Sequence, residues 1–184
     1  MPLPAFKVRL AAQKLHAGEV IAYPTEAVYG LGCDPLNEEA VLNLLHLKNR
    51  SIDKGLILIA SSLYQLEPYL QLNNTIVSRV QATWPGPVTW IIPAQPWVPK
   101  WLTGTHSSLA VRVSSHPIVR LLCERTGGAI VSTSANTSAR PPATTPWMVS
   151  KNLAPNKLFI LPGRVGELNQ PTPIYNVLNQ QQLR

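Results

Sequence analysis

At 184 residues, 45% of them apolar and 14% charged, the chain has the size of one domain and is too apolar to stay disordered. The net charge of +7 is unevenly spread: seven of the nine acids lie at or before Glu67, whereas 68–166 carries nine Lys or Arg and one acid, Glu124. That asymmetry argues against a cationic partner and points to an anionic one (nucleic acid, nucleotide or small anion), unless the charge serves only solubility.

Apolar residues at helical spacing predict a helix over 5–16, closed by Gly18. A strand over 20–23 stops at Pro24, and YPTEAVYGLG, 23–32, reads as a turn-rich loop at its end. Asn37 caps a helix running to about Lys48, with Glu38 and Glu39 suiting its first turn. LILIA, 56–60, is a buried strand, and Ser61 or Ser62 opens a helix to Leu70. Another helix covers 75–84, followed by strands over 87–93 and 109–113. Ser115 caps a helix through Arg125 with Pro117 in its first turn, and AIVSTS, 129–134, is a strand. A helix over 147–153 and short strands over 158–161 and 174–178 complete the chain. This alternation predicts an α/β fold, a mixed twisted sheet in a single domain spanning 1–184.

The N-terminus lacks the apolar core of a secretory signal, and the longest apolar run, 56–60, is far too short to cross a bilayer. Cys33 and Cys123 form no C-x-x-C pair and read as buried thiols. A soluble, cytoplasmic protein with no membrane association is the expectation.

Besides YPTEAVYGLG, three stretches could carry chemistry. In HLKNRSIDKG, 46–55, three cations fall within seven positions, but the glycines do not match a phosphate loop. In one continuous helix Lys48 and Arg50 would point about 200° apart. If the helix stops near Leu47 and the chain extends, they share a face and converge on one polyanion with Lys54; otherwise they are a solvated helix end. In STSAN, Ser132, Ser134 and Asn136 line one side of an extended chain, an anion or base site or an ordinary capped turn. Arg112 lies inside the apolar strand LAVRV and must find an anion or water. His116 reads as capping or packed rather than catalytic. No metal-ligand set and no nucleophile–histidine arrangement appears, so chemistry by charge neutralisation and positioning fits best.

YPTEAVYGLG, the Lys48-Asn49-Arg50 triplet with Lys54, WPGPVT at 84–89, LAVRV-SSHP and STSAN, in this order and spacing, resemble the YrdC family of threonylcarbamoyl-adenylate synthases. The resemblance runs from about Ala17 to Arg184 and matches the short bacterial form. It implies an open twisted α/β sheet flanked by helices, with a basic concave cleft. The implied reaction joins L-threonine, bicarbonate and ATP into L-threonylcarbamoyladenylate and pyrophosphate, the first step of N6-threonylcarbamoyladenosine formation at position 37 of tRNA. Lys48, Arg50, Ser134 and Asn136 are the implied catalytic residues. ATP would meet Lys48, Arg50, Lys54, Ser108, Ser134, Asn136 and Arg184, with Mg²⁺ bound through the phosphates and no protein metal ligand. Threonine would meet Thr25, Arg112, Ser132 and, from QPTPIYNVL, Thr172. The product would pass to a separate tRNA transferase complex, with weak tRNA binding by the chain itself. Two departures stand out: Ser138-Ala139 replaces the usual Ser-Gly, and Ile59 stands where some relatives have histidine. The competing reading is a basic RNA-binding module without turnover.

Overall fold

The structure is a computed structural model that describes residues 5–137, 140–153 and 158–184. Helix α1, Ala5–His16, presents Val8, Ala11, Ala12 and Leu15 as its buried stripe. Strands β1, Ile21–Pro24, and β2, Tyr29–Gly32, pair antiparallel. Strand β2 replaces the loop expected for YGLG. Glycine has a poor intrinsic strand preference, but here its missing side chain is required: a Cβ on Gly32 would fall 2.8 Å from Tyr23 Cε1 and 2.5 Å from the Val131 carbonyl. The Tyr23 ring therefore lies across β2, a tertiary fact that local propensity does not carry.

Helix α2, Glu38–Lys48, starts at Asn37, whose side chain accepts from the Ala40 amide. Strand β3, Ile57–Ala60, follows. The helix expected up to Leu70 is instead two 3₁₀ turns, Leu63–Gln65 and Glu67–Tyr69. Pro68 removes the amide a continuous helix would need, and Gln65 turns back to accept from the Ser61 amide. Helix α3, Asn74–Gln81, ends before the expected Trp84, consistent with the restriction that Pro85 places on the residue before it. Strand β4, Thr89–Pro93, the short helix α4, Lys100–Thr103, and strand β5, Ser108–Val113, come next. Helix α5, Pro117–Thr126, has His116 rather than Ser115 at its N-cap; Ser114 Oγ accepts from the His116 amide. Strand β6, Ile130–Ser134, helix α6, Pro146–Leu153, and strands β7, Phe159–Ile160, and β8, Ile174–Asn176, complete the fold.

The strands form one mixed sheet in the order β7-β1-β2-β6-β3-β5-β4-β8. Strands β3 and β5 run parallel, while β3 with β6 and β4 with β5 run antiparallel. Side chains alternate between the faces. Leu31, Leu58, Val111 and Val131 enter the larger core with α2 and α3. Ile21, Tyr23, Ile59 and Ile130 enter a second core with α1 and α5. Each such fully buried Leu or Ile contributes about 1.5–3 kcal/mol. Ile57, Ala110 and Ser132 lie two residues along from Ile59, Arg112 and Ile130, so they share the second face beyond the reach of α1 and α5. Covering one face fully and the other only at one end leaves a cleft.

Gly32→Ala should lower the unfolding free energy by about 2–4 kcal/mol because its neighbour is backbone, not a movable side chain. Gly128→Ala, which meets nothing within 4 Å, should stay within about 0.5 kcal/mol. Urea denaturation of both variants checks the pair, and equal stabilities would refute the close approach of the Val131 carbonyl to Gly32.

Candidate active site

The floor of the cleft is one lateral row of the sheet. Ser132 pairs with Ile57, Ile57 with Ala110, Ala110 with Ile91, and Ile91 with Asn176. The space above it is about 620 Å³. Arg50, Lys54, Ser108, Ser134 and Arg184 line it, as do Thr25, Arg112, Ser132 and Thr172. Four cationic side chains and no Asp or Glu are in this lining. Lys48 and Asn136 stand one layer back.

Lys48 and Arg50 follow neither geometry left open by the sequence, an extended convergent pair or a solvated helix end. The helix does not stop before Lys48, and 48–50 is not extended. Helix α2 runs through Lys48, and Asn49 closes it in the left-handed conformation, φ 49° and ψ 52°. Asparagine tolerates that conformation, and the reversal separates the two cations. Lys48, only 4% exposed, turns inward. Its Nζ donates to the Ser134 carbonyl, to the Asn136 carbonyl at 2.8 Å and to Asn136 Oδ1 at 3.1 Å. The Ser134 hydroxyl donates to the same Oδ1 at 2.6 Å, and Asn136 Nδ2 donates to the Arg140 carbonyl. Lys48 thus fastens the STSAN loop from below. Burial, with a smaller effect from Arg50, lowers its pKa to about 8. Ser138 and Ala139 lie outside the described residues.

Arg50 faces the cleft with Nη2 donating to the Gly55 carbonyl at 2.9 Å. Its Nε is buried with no hydrogen-bond partner among the described residues, and burial lowers its pKa. A buried N–H at the wall of a cationic cleft favours an anion as its partner. Lys54 ends the 3₁₀ turn Ile52–Lys54. That turn rests on Gly104, φ +64°, where a Cβ would stand 2.3 Å from the Asp53 carbonyl oxygen.

Arg112 sits on an internal strand rather than an edge, and is 5% exposed. Its Nη1 donates to Thr172 Oγ1 at 2.7 Å and Thr89 Oγ1 at 3.4 Å. Its Nη2 stands 3.3 Å from Glu26 Oε2. Of the two partners open from the sequence, an anion or water, the structure supplies an anion, the internal carboxylate of Glu26. Arg184 joins the same corner: its Nη2 donates to the Thr172 carbonyl at 3.0 Å, and burial, then Arg112, lowers its pKa. His116 is packed, with Nε2 3.1 Å from the Arg164 carbonyl oxygen, and burial lowers its pKa. Ile59, paired with Arg112 in register, is fully buried in the second core. Cys33 and Cys123 are free and buried, which pushes both thiols up.

Glu26, Thr89, Ser114 and His106 carry no role that the local sequence expresses. Glu26 and Thr89 lie within recognised stretches, but their partner Arg112 is far along the chain. His106 joins the lining only because α4 and Gly104 return the chain there.

A half-covered α/β sheet that gathers arginines, a lysine and hydroxyls around a polar-ended floor defines an anion-binding protein of the open-sheet class. The family model Sua5_yciO_yrdC, described as "Telomere recombination", matches residues 13–184. A Methylococcus capsulatus protein named threonylcarbamoyl-AMP synthase is 49% identical over 183 residues, covering 99% of this chain and 98% of that one. One of the same name from Nitrosococcus oceani is 49% identical over the full length of both. The crystal structure of P. abyssi Sua5 complexed with L-threonine matches with a TM-score of 0.90 at 30% identity over 96% of this chain. The chain spans about half of that Sua5 chain, 52%. The chain belongs to the Sua5/YciO/YrdC family. Among the described residues no helix is long and apolar enough to cross a membrane, and no cluster of three or more His, Cys, Asp or Glu offers a metal site.

Lys48 supplies a pH test. Its folded pKa, about 8, lies below its ordinary 10.5, so between those values the unfolded chain holds the proton longer. Stability should therefore rise with pH across that window more steeply in the wild type than in Lys48→Met. Urea unfolding at pH 7.5 and 9.5 measures the difference; parallel pH dependences would show that Lys48 is not held as a buried charge.

Proposed function

We propose that this chain is a threonylcarbamoyl-AMP synthase, a nucleotidyltransferase acting as one YrdC-like domain over 1–184. The observation that carries the reading is the agreement over nearly the whole chain with relatives of that name, combined with a cleft whose charged side chains are all cationic. The reaction uses L-threonine, bicarbonate and ATP. Threonine's amine condenses with bicarbonate to a carbamate and releases water. A carbamate oxygen then attacks the α-phosphorus of ATP, forming the adenylate as pyrophosphate leaves.

Carboxylate, carbamate and triphosphate must lie close together, so their mutual repulsion is the main obstacle. Arg50 and Lys54 are suited to the triphosphate, with Ser108, Ser134 and Arg184 beside the nucleotide. Arg112 is suited to the threonine carboxylate, with Thr25, Ser132 and Thr172 completing that end. Lys48 and Asn136 act by holding the Ser134 loop against the phosphates. The lining offers no carboxylate, so a resident metal is a poor fit and Mg²⁺ arrives with the triphosphate. The product then serves tRNA modification in the cytoplasm through a separate transferase, with weak tRNA contact at most. An RNA-binding module without turnover is less well supported, since the curated relatives are named as synthases.

Pyrophosphate release should require L-threonine, bicarbonate and ATP together; equal turnover with serine or with no amino acid would refute the assignment. Arg50→Ala should reduce turnover by at least about 100-fold while leaving the far-ultraviolet circular dichroism unchanged. Normal turnover in that variant would remove its phosphate role. Arg112→Lys keeps the charge opposite Glu26 but loses the fork, so the KM for threonine should rise more than that for ATP. The reverse pattern would mean that the two ligands are exchanged in the cleft.

A further inference from the structure

Glu26 is 6% exposed and does not line the cleft, yet it is placed against the residue suited to the amino-acid carboxylate. Its Oε1 accepts from the Ser114 hydroxyl at 2.5 Å, and its Oε2 lies 3.3 Å from Arg112 Nη2. The backbone is also fixed. The Gly166 amide donates to the Thr25 carbonyl at 2.9 Å, and the Leu168 amide donates to the Glu26 carbonyl at 3.2 Å. A Cβ on Gly166 would stand 2.5 Å from the Glu26 carbonyl oxygen, so this strap closes over the residue.

We propose that Glu26, oriented by Ser114, is a positioning residue that sets the guanidinium plane of Arg112 for capture of the threonine carboxylate. The inference rests on the synthase reading above. Arg112 reaches the cleft from an internal strand and has little water to solvate it. Without a counter-charge its burial, beside the second cation Arg184, would be strongly unfavourable. The contacts divide the guanidinium. Nη2 faces Glu26, Nη1 bonds Thr172 and Thr89, and Nε is buried with no hydrogen-bond partner among the described residues. Glu26 Oε2 likewise makes no hydrogen bond among the described residues, although it lies within ion-pair distance. The pair thus compensates charge without saturating the fork, which keeps donor capacity for a second carboxylate. A pair serving stability alone has little to recommend it, because apolar residues of the same volume often hold a fold equally well.

The test is steady-state pyrophosphate release by the full chain, with KM for threonine and for ATP measured separately. Glu26→Gln keeps the shape and the Ser114 contact but removes the charge and turns an amide toward Arg112. It should raise the KM for threonine about tenfold while the KM for ATP stays within about twofold. Glu26→Asp should recover part of the loss, and Ser114→Ala should move the threonine KM in the same direction by less. An unchanged threonine KM in Glu26→Gln overturns the inference. So does a rise in both KM values together, or a fall in kcat alone, since a structural role would produce those. If Glu26→Gln does not fold, Ser114→Ala decides: a selective rise in threonine KM supports the inference and an unchanged value overturns it. A wild-type protein without threonine-dependent pyrophosphate release refutes the synthase reading first, and this inference with it.

Discussion

A buried arginine in the middle of a sheet needs a counter-charge, and much of the candidate site is organised around meeting that need. Arg112 emerges from β5 between β3 and β4, where water has little access. Its charge is balanced by Glu26, which belongs to the turn between β1 and β2. That single pair draws together segments 86 residues apart in sequence, since 112 minus 26 is 86. Thr172 arrives from before β8 to take Nη1, and Arg184 follows by bonding the Thr172 carbonyl. The Arg112 end of the cleft is therefore assembled by electrostatics across the fold rather than by any one loop.

The Arg50 end obeys a different rule. There the elements are a helix C-terminus, a left-handed asparagine and a loop of small polar residues. Asn49 turns Lys48 inward and Arg50 outward, so adjacent cations take different tasks. Lys48 fastens Ser134 and Asn136 through their carbonyls and one side-chain oxygen. A loop rich in hydroxyls would otherwise be free to rearrange, and a charged donor with three acceptors limits that freedom. The cleft can stay open to solvent while its walls remain ordered.

The two cores explain why this is a cleft rather than a closed interior. Leu58, Val111 and Val131 place one face of the sheet against the larger core. On the opposite face, α1 and α5 pack with Ile21, Tyr23, Ile59, Ile130 and Phe159. Two residues along the same strands, the side chains shift to Ser132, Ile57 and Ala110, small or polar at two of three positions. The uncovered half is thus suited to a ligand and poorly suited to a packed helix.

Most of the architecture was legible in the sequence, because helices α1, α2 and α5 and strands β3, β5 and β6 carry strong periodicity, caps or apolar runs. The family resemblance also named nine residues that the fold brings to one cavity, among them Thr25, Arg50, Arg112 and Thr172. Strand β2 was not legible, because two glycines argue against a strand until the Tyr23 ring is known to cross them. The division between Lys48 and Arg50 was not legible either, since one left-handed residue reverses the outcome and asparagine permits both conformations. Local chemistry determined which elements exist and which side chains can hold anions. Only the tertiary structure decided that Arg112 is balanced by Glu26 and that Lys48 supports the wall rather than lining it, because charge compensation and burial depend on neighbours distant in the chain.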